Sequence, residues 1–376
     1  ENKNKKGKIM RKITNTQTND LSNPKLRQIA ADLSNEVCLA MEKALANYSE
    51  PSVYPISDNR KSLEQICRTY FRSVNPAKQQ EMAKKAITAI NAPKKQRSQK
   101  YGELAEIDLR SKTPIEDQAQ RLVPRELQIT ENDLRRDNGH SPLHISHRDS
   151  HESERSIRSS DAVGTAAQQL TRLVFRIKRV ECKEQTGEWG EDEIFLGGTA
   201  IDERGNVQKI NQFKVGDFEK GDVWNPSGPR PFASFELSKR GIGYPRTYSV
   251  VLVLVEEDAG NLTEFLNRLA NIVRDKLKEK LSSIPIEYLG LFLGTIVGEV
   301  MGWFVDNVFE YLSSLWGDEI FLPATNLIPL PSPDFRWDSG TKSRVSSLIA
   351  WEFNGFDGQY WVDCDWELFA AKEVVA

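Results

Sequence analysis

All four histidines of this chain, His140, His144, His147 and His151, fall in one short stretch at spacings of four, three and four. On a helix those spacings share one face, and imidazoles so placed chelate zinc or nickel. Gly139 and Pro142 break such a helix, however. The Arg, Asp, Ser and Glu residues around them have the composition of a solvated linker, which would gain positive charge near about pH 6. A second chemistry lies in carboxylates at predicted strand ends, Asp192, Glu193, Asp258, Asp318 and Glu319. Loops at one end of a β-sandwich gather such oxygens into a Ca²⁺ site, which takes about six to eight hard ligands. Nucleophilic chemistry finds no pattern to rest on: GxSxG, Walker, GxGxxG and HExxH sequences are absent, and every histidine lies in the linker. An enzyme of unrecognised type, with carboxylates alone, is the third-ranked expectation.

The most distinctive spacing is not catalytic. Gly290, Gly294, Gly298 and Gly302 recur at four-residue intervals, so on a helix they line one ridge. Each costs about 1 kcal/mol relative to alanine in a helix interior, and the compensation expected is close approach of another backbone, here a partner helix. Tyr288, Leu289, Leu291, Leu293, Val297, Val300, Trp303 and Val305 make the same segment apolar on nearly every side, which asks for burial all round. Glu299, Asp306 and Glu310 follow at i, i+7 and i+11 and form one polar edge. The pattern resembles the glycine-zipper helices of pore-forming and membrane-perturbing proteins, and that resemblance covers this one segment. It implies membrane lipid or self-assembly as partners. The longest uncharged run, 288–298, is well short of the ~18 residues of a permanent span, so insertion would follow protonation or line a wet path.

These residues need elements to hold them. A chain of 376 residues suggests two or three domains. Residues 1–22 are Asn-, Lys- and Thr-rich and read as a disordered tail. Residues 23–129 read as a small helical bundle. Its helices start at Asn23-Pro24, at Asp58 as N-cap, and at Asn75-Pro76, with one more short element after Pro93. Residues 130–162 are the polar histidine-containing linker. From 163 to 376 the period changes from helical to alternating, with strands expected near 172–178, 193–196, 207–213, 232–237, 248–255, 319–322, 345–353 and 360–368. The run 248–255 is apolar throughout and predicts a central strand covered on both faces. A helical hairpin, 259–317, interrupts this part. Its first helix opens on a capping-box-like Asn261 and Glu264, and its second carries the glycine ridge. The expected fold class is thus α+β: an N-terminal helical bundle, then an antiparallel β-sandwich-like domain with an inserted apolar hairpin.

A net charge of -3 is nearly balanced, and the basic loop 94–100 lacks interleaved aromatics, so nucleic-acid binding is not expected. The four cysteines form no CxxC pair, which fits a reducing compartment. No apolar core follows Lys3, Lys5, Lys6, Lys8, Arg11 and Lys12, so the sequence predicts cytoplasmic synthesis without a signal peptide, with lysis or a specialised secretion machine as the way out. The leading functional expectation is a non-enzymatic, membrane-active or effector-like protein built on the glycine ridge. The alternative is a soluble binding module, for Ca²⁺, ligand or protein, in which the hairpin is plain core. The N-terminal helices offer a surface for a protein partner.

Overall fold

Asn23 opens the first helix as the sequence predicts: its side chain accepts from the N–H groups of Lys25 and Leu26 at 3.0 Å each, and Pro24 occupies the first helical position. In the computed structural model, which describes residues 21–122, 129–130, 133–134, 170–187, 190–237, 243–256, 260–316, 320–337, 343–355 and 357–370, this helix is α1, Pro24–Ser49. The side chains of 286–291 also lie outside the description. There follow α2 (Leu63–Phe71), α3 (Pro76–Ile90), α4 (Lys94–Tyr101), a 3₁₀ turn (Gly102–Glu106) and α5 (Ile115–Leu122). The cap of α2 differs from expectation. Ser62 rather than Asp58 accepts from Gln65 N–H, and Asp58 instead bonds Lys112 at 2.6 Å on the surface.

The β elements are β1 (Leu170–Glu184), β2 (Asp192–Ile201), β3 (Val207–Phe218), β4 (Val223–Trp224), β5 (Arg230–Glu236) and β6 (Arg246–Glu256). After two helices, α6 (Leu262–Lys280) and α7 (Ile286–Trp316), come β7 (Ala324–Leu330), β8 (Ile349–Gly355) and β9 (Gly358–Ala370). They form two wholly antiparallel sheets. One runs β4-β1-β9-β8, with β5 continuing along the β4 edge of β1; the other runs β3-β2-β6-β7. Leu173, Phe175, Val362 and Trp366 of the first sheet share one apolar core with Leu196, Val250, Leu252 and Leu254 of the second.

Every residue of β6 is buried. Its alternate side chains explain why: Tyr248, Val250, Leu252 and Leu254 face the other sheet, while Val251, Val253 and Val255 face helices. The helices that cover this second face are α6 and α7, and they bring the N-terminal helices with them. Leu33, Val37, Leu39 and Met41 of α1 belong to the same core as Phe265 of α6 and Val300, Phe304 and Val308 of α7. The result is three layers, helices on one sheet on a second sheet, around two cores that share β6.

Three expectations are corrected. Asn261 makes no side-chain cap; its backbone N–H donates to Ser73 Oγ at 3.0 Å, and Glu264 turns to Lys209 and Arg268. The two inserted helices do not form a self-contained hairpin: α7 packs chiefly on α1 and β6, and α6 on β3 and β2. The strand expected at 319–322 is absent at Ile320, Phe321 and Leu322, and pairing begins only at Ala324. A Cβ on Gly355 would lie 2.7 Å from the Ile320 carbonyl, so this segment crosses over the β8–β9 turn instead of joining a sheet. The tail 1–20, the histidines and most of the 130–162 stretch lie outside the described residues.

Candidate functional site

The glycine ridge of α7 meets a sheet, not a helix. A Cβ on Gly294 would stand 2.8 Å from each of Asp202 O, Glu203 Cα and Thr247 O, and one on Gly298 would stand 2.7 Å from Leu327 Cδ1 and 3.0 Å from Ser249 Oγ. Contacts that short do not occur around real side chains, so the β2–β3 turn, β6 and β7 take the place expected of a partner helix. The reason is geometric: four-residue spacing makes a smooth groove but does not say which backbone fills it. The seam is also hydrogen-bonded, with Gly294 N–H donating to Glu203 O at 3.3 Å and the Thr295 and Thr247 hydroxyls 2.7 Å apart. Gly302 is buried as well, while the surroundings of Gly290 fall within 286–291.

The acidic edge lies on other faces of the same helix. Glu299 and Asp306 are half-buried and Glu310 is exposed. Burial, and then the neighbouring Glu310 carboxylate, pushes the Asp306 carboxyl up to about 7. Among the described residues, α7 contains the one segment, Phe292–Trp316, long and apolar enough to cross a membrane, and most of it is buried within the protein.

Where α7 meets the helical layer, charge is buried. Glu42 of α1 has no solvent exposure; its Oε1 accepts from Tyr101 Oη at 2.5 Å and Tyr311 Oη at 2.7 Å. Arg97 stands 3.4 Å from Oε2, and Lys100 stands 3.6 Å from Oε1 and 3.7 Å from the centre of the Tyr311 ring. One residue along, Lys43 pairs with Glu64 at 3.1 Å, both fully buried, and also donates to Ser111 O at 2.9 Å. All four cysteines are buried, and burial pushes the Cys38 thiol up to about 12, so its thiolate is not available as a nucleophile.

Of the candidate metal ligands, the two that are described, Asp192 and Glu193, point in opposite directions. Asp192 points inward, where it accepts from Thr186 N–H at 2.8 Å, from Thr186 Oγ1 at 2.7 Å and from Tyr360 Oη. Glu193, the next residue of the strand, points outward to Lys214 at 2.8 Å. Asp258, Asp318, Glu319 and the histidines His140, His144, His147 and His151 lie outside the described residues. Among the described residues no group of three or more His, Cys, Asp or Glu side chains is arranged to hold a metal ion.

The concavity that sequence reading missed lies in the helical layer. A cavity of about 340 Å³ opens between α1, α2 and α3, with Ala44, Leu45 and Phe71 as its floor and Asn47, Tyr48, Pro51, Arg68 and Arg72 around it. Gln79 closes the α3 side, its Nε2 held by Val74 O at 2.5 Å. A signal was present in the sequence, two arginines one turn apart, Arg68 on α2 and Arg72 just past its end, on the side away from Leu63, Ile66 and Tyr70. A second cavity, of about 410 Å³, lies at the β2–β3 turn beside β5, where Asp202, Glu203 and Glu236 make its lining acidic.

Comparison with protein-family models, with curated proteins and with solved structures yields no match for this chain.

Proposed function

We propose that the chain is a soluble binding module: a β-sandwich backed by a helical layer, with α7 as the strut between them and the α1–α2–α3 cavity as the place where a ligand sits. The observation that carries this reading is the filling of the glycine ridge. A Cβ at Gly294 or Gly298 would already meet atoms of the β2–β3 turn, β6 or β7 at 2.7–2.8 Å, so this stretch of the ridge has no free face to offer another helix unless the sheet is first peeled away. Asp192 adds support from the other side, since its oxygens are engaged by Thr186 and Tyr360 and Ca²⁺ would have to displace them.

A membrane-active role is the second reading, favoured by the length and apolarity of Phe292–Trp316 and by the Asp306 carboxyl that protonates near 7. Release of a trapped dye from anionic and neutral liposomes, at about pH 7 and pH 5, separates the two. The binding-module reading expects no release by the full chain at either pH. Release that is abolished by Gly298→Leu in a folded variant would overturn it and install the membrane role.

A further inference from the structure

Several cations of the helical layer have an acidic partner. Lys43 faces Glu64, Arg97 faces Glu42, Lys85 faces Glu81 and Lys112 faces Asp58. Arg68 and Arg72 differ: among the described residues neither guanidinium has a salt bridge or a side-chain hydrogen bond, although Glu64 lies one helical turn before Arg68 and is spent on Lys43 and Ile115 N–H. The two arginines stand at i and i+4, where like charges repel, and Arg68 is half-buried. Burial, and then Arg72, lowers the Arg68 guanidinium below its usual range. A chain that places two unpaired planar cations beside a cavity, one of them partly desolvated, has left room there for an anion to relieve both costs.

The rest of the cavity says what else the anion carries. Its floor is apolar, from Ala44, Leu45 and Phe71, and the Tyr48 ring, 48% exposed, stands at the edge. Gln79 and Asn47 are the neutral polar groups of the lining, and each has one of its two amide hydrogens already committed, to Val74 O and to Tyr54 O at 2.9 Å. A bare inorganic ion would leave that floor wet. About 340 Å³ is within the ordinary size of a small-molecule pocket.

We infer that the α1–α2–α3 cavity binds a small amphipathic oxyanion, an aryl or alkyl phosphate monoester or carboxylate, whose charged head bridges Arg68 and Arg72 and whose apolar group lies on Leu45 and Phe71. This assignment rests on the binding-module reading and names its ligand class. Guanidinium groups recognise both heads through paired N–H donors, which is why phosphate and carboxylate share one site.

Calorimetry on the full chain tests it with phenyl phosphate, phenylacetate, inorganic phosphate and benzyl alcohol as probes. The expected result is one phenyl phosphate per chain, bound at least about tenfold more tightly than inorganic phosphate, with affinity falling as salt is raised. Arg72→Gln, at an exposed position, should weaken binding about tenfold without lowering the melting temperature, and Arg68→Gln/Arg72→Gln should abolish it. Unchanged affinity in the folded double variant, or absence of binding by both phenyl phosphate and phenylacetate at millimolar concentration, overturns the inference. Benzyl alcohol binding as tightly as phenyl phosphate also overturns it while leaving a binding module in place. The binding-module reading itself falls only to the liposome result above, which does not involve these arginines.

Discussion

Tyr311 Oη donates to Glu42 Oε1 across 2.7 Å, tying the last turns of α7 to the middle of α1 through a carboxylate with no solvent exposure. Tyr101 donates to the same oxygen at 2.5 Å, so two phenols divide the solvation that water would otherwise supply. Each is a charge-assisted bond, and removing one leaves the other to carry the charge.

Tyr311→Phe should therefore cost about 1–3 kcal/mol in urea unfolding, and Tyr101→Phe a similar amount. The double variant should cost more than the sum, because Glu42 then keeps only Arg97 at 3.4 Å and Lys100 at 3.6 Å. A double-mutant cycle that closes additively would mean that the two phenols act independently and that the carboxylate is satisfied elsewhere.

The glycine ridge predicts an ordering of effects. Gly294→Ala drives its new methyl into three backbone atoms at 2.8 Å, whereas Gly298→Ala meets first the tip of the Leu327 side chain at 2.7 Å, which can rotate away. Alanine also gains about 1 kcal/mol of helix propensity at either site. Gly294→Ala should destabilise by about 2–4 kcal/mol and Gly298→Ala by clearly less. Thermal unfolding of the two variants checks this, and equal costs would count against the seam between α7 and the sheet.

The same ridge shows how far the sequence could be read. Spacing announced that some backbone comes close, and periodicity placed α1, the buried strand β6 and the alternating face of β9, where Tyr360, Val362, Cys364, Trp366 and Leu368 line the core. It could not say that β6 and β7 would be the backbone in question, since that depends on a strand the pattern hid. In β7, Asn326 and Pro329 interrupt the β-prone run, and proline is tolerated because β7 is at the edge of its sheet. The helical layer was legible as helices, but its buried charges were not, for a related reason. An amphipathic stripe was visible on α1, yet Glu36, Glu42 and Lys43 are buried too, because other helices pack around the far side of α1. Nothing local in a sequence tells which distant residue will neutralise a buried charge.

Lys43 and Glu64 put a figure on that point. Lys43→Met leaves the Glu64 carboxylate fully buried without a cation, a change expected to cost about 3–5 kcal/mol. Glu64→Gln in the same chain restores neutrality and keeps an oxygen to accept from Ile115 N–H, now bonded at 3.0 Å. Lys43→Met/Glu64→Gln should thus recover at least about half of the loss. A double variant as unstable as Lys43→Met would place the cost instead in the Ser111 and Thr113 carbonyls that Lys43 also serves.

Glu36 makes the stability depend on pH in a direction opposite to that of a paired surface carboxylate. It is 9% exposed, its Oε2 has no hydrogen-bond partner, and burial pushes its carboxyl up to about 7 against the opposing pull of Lys276 and Lys280 and with the help of Glu116 and Asp32. A folded-state value above the unfolded one means that the native protein binds the extra proton between about pH 4.5 and 7. Its contribution is present in full below that window and is lost as pH rises through it, by on the order of 3 kcal/mol at about 1.36 kcal/mol per pH unit. Burial also raises Asp32 and Glu116, so they slope the same way, whereas Asp133, lowered to about 2 by Lys25 and Thr130, acts only at more acid pH. Glu36→Gln holds the neutral form at every pH. Urea midpoints should then show the variant close to wild type at about pH 4.5 and more stable by about 2–3 kcal/mol at pH 8. Parallel pH profiles for the two proteins would mean that Glu36 is ionised in the folded state and finds its counter-charge in Lys276 or Lys280.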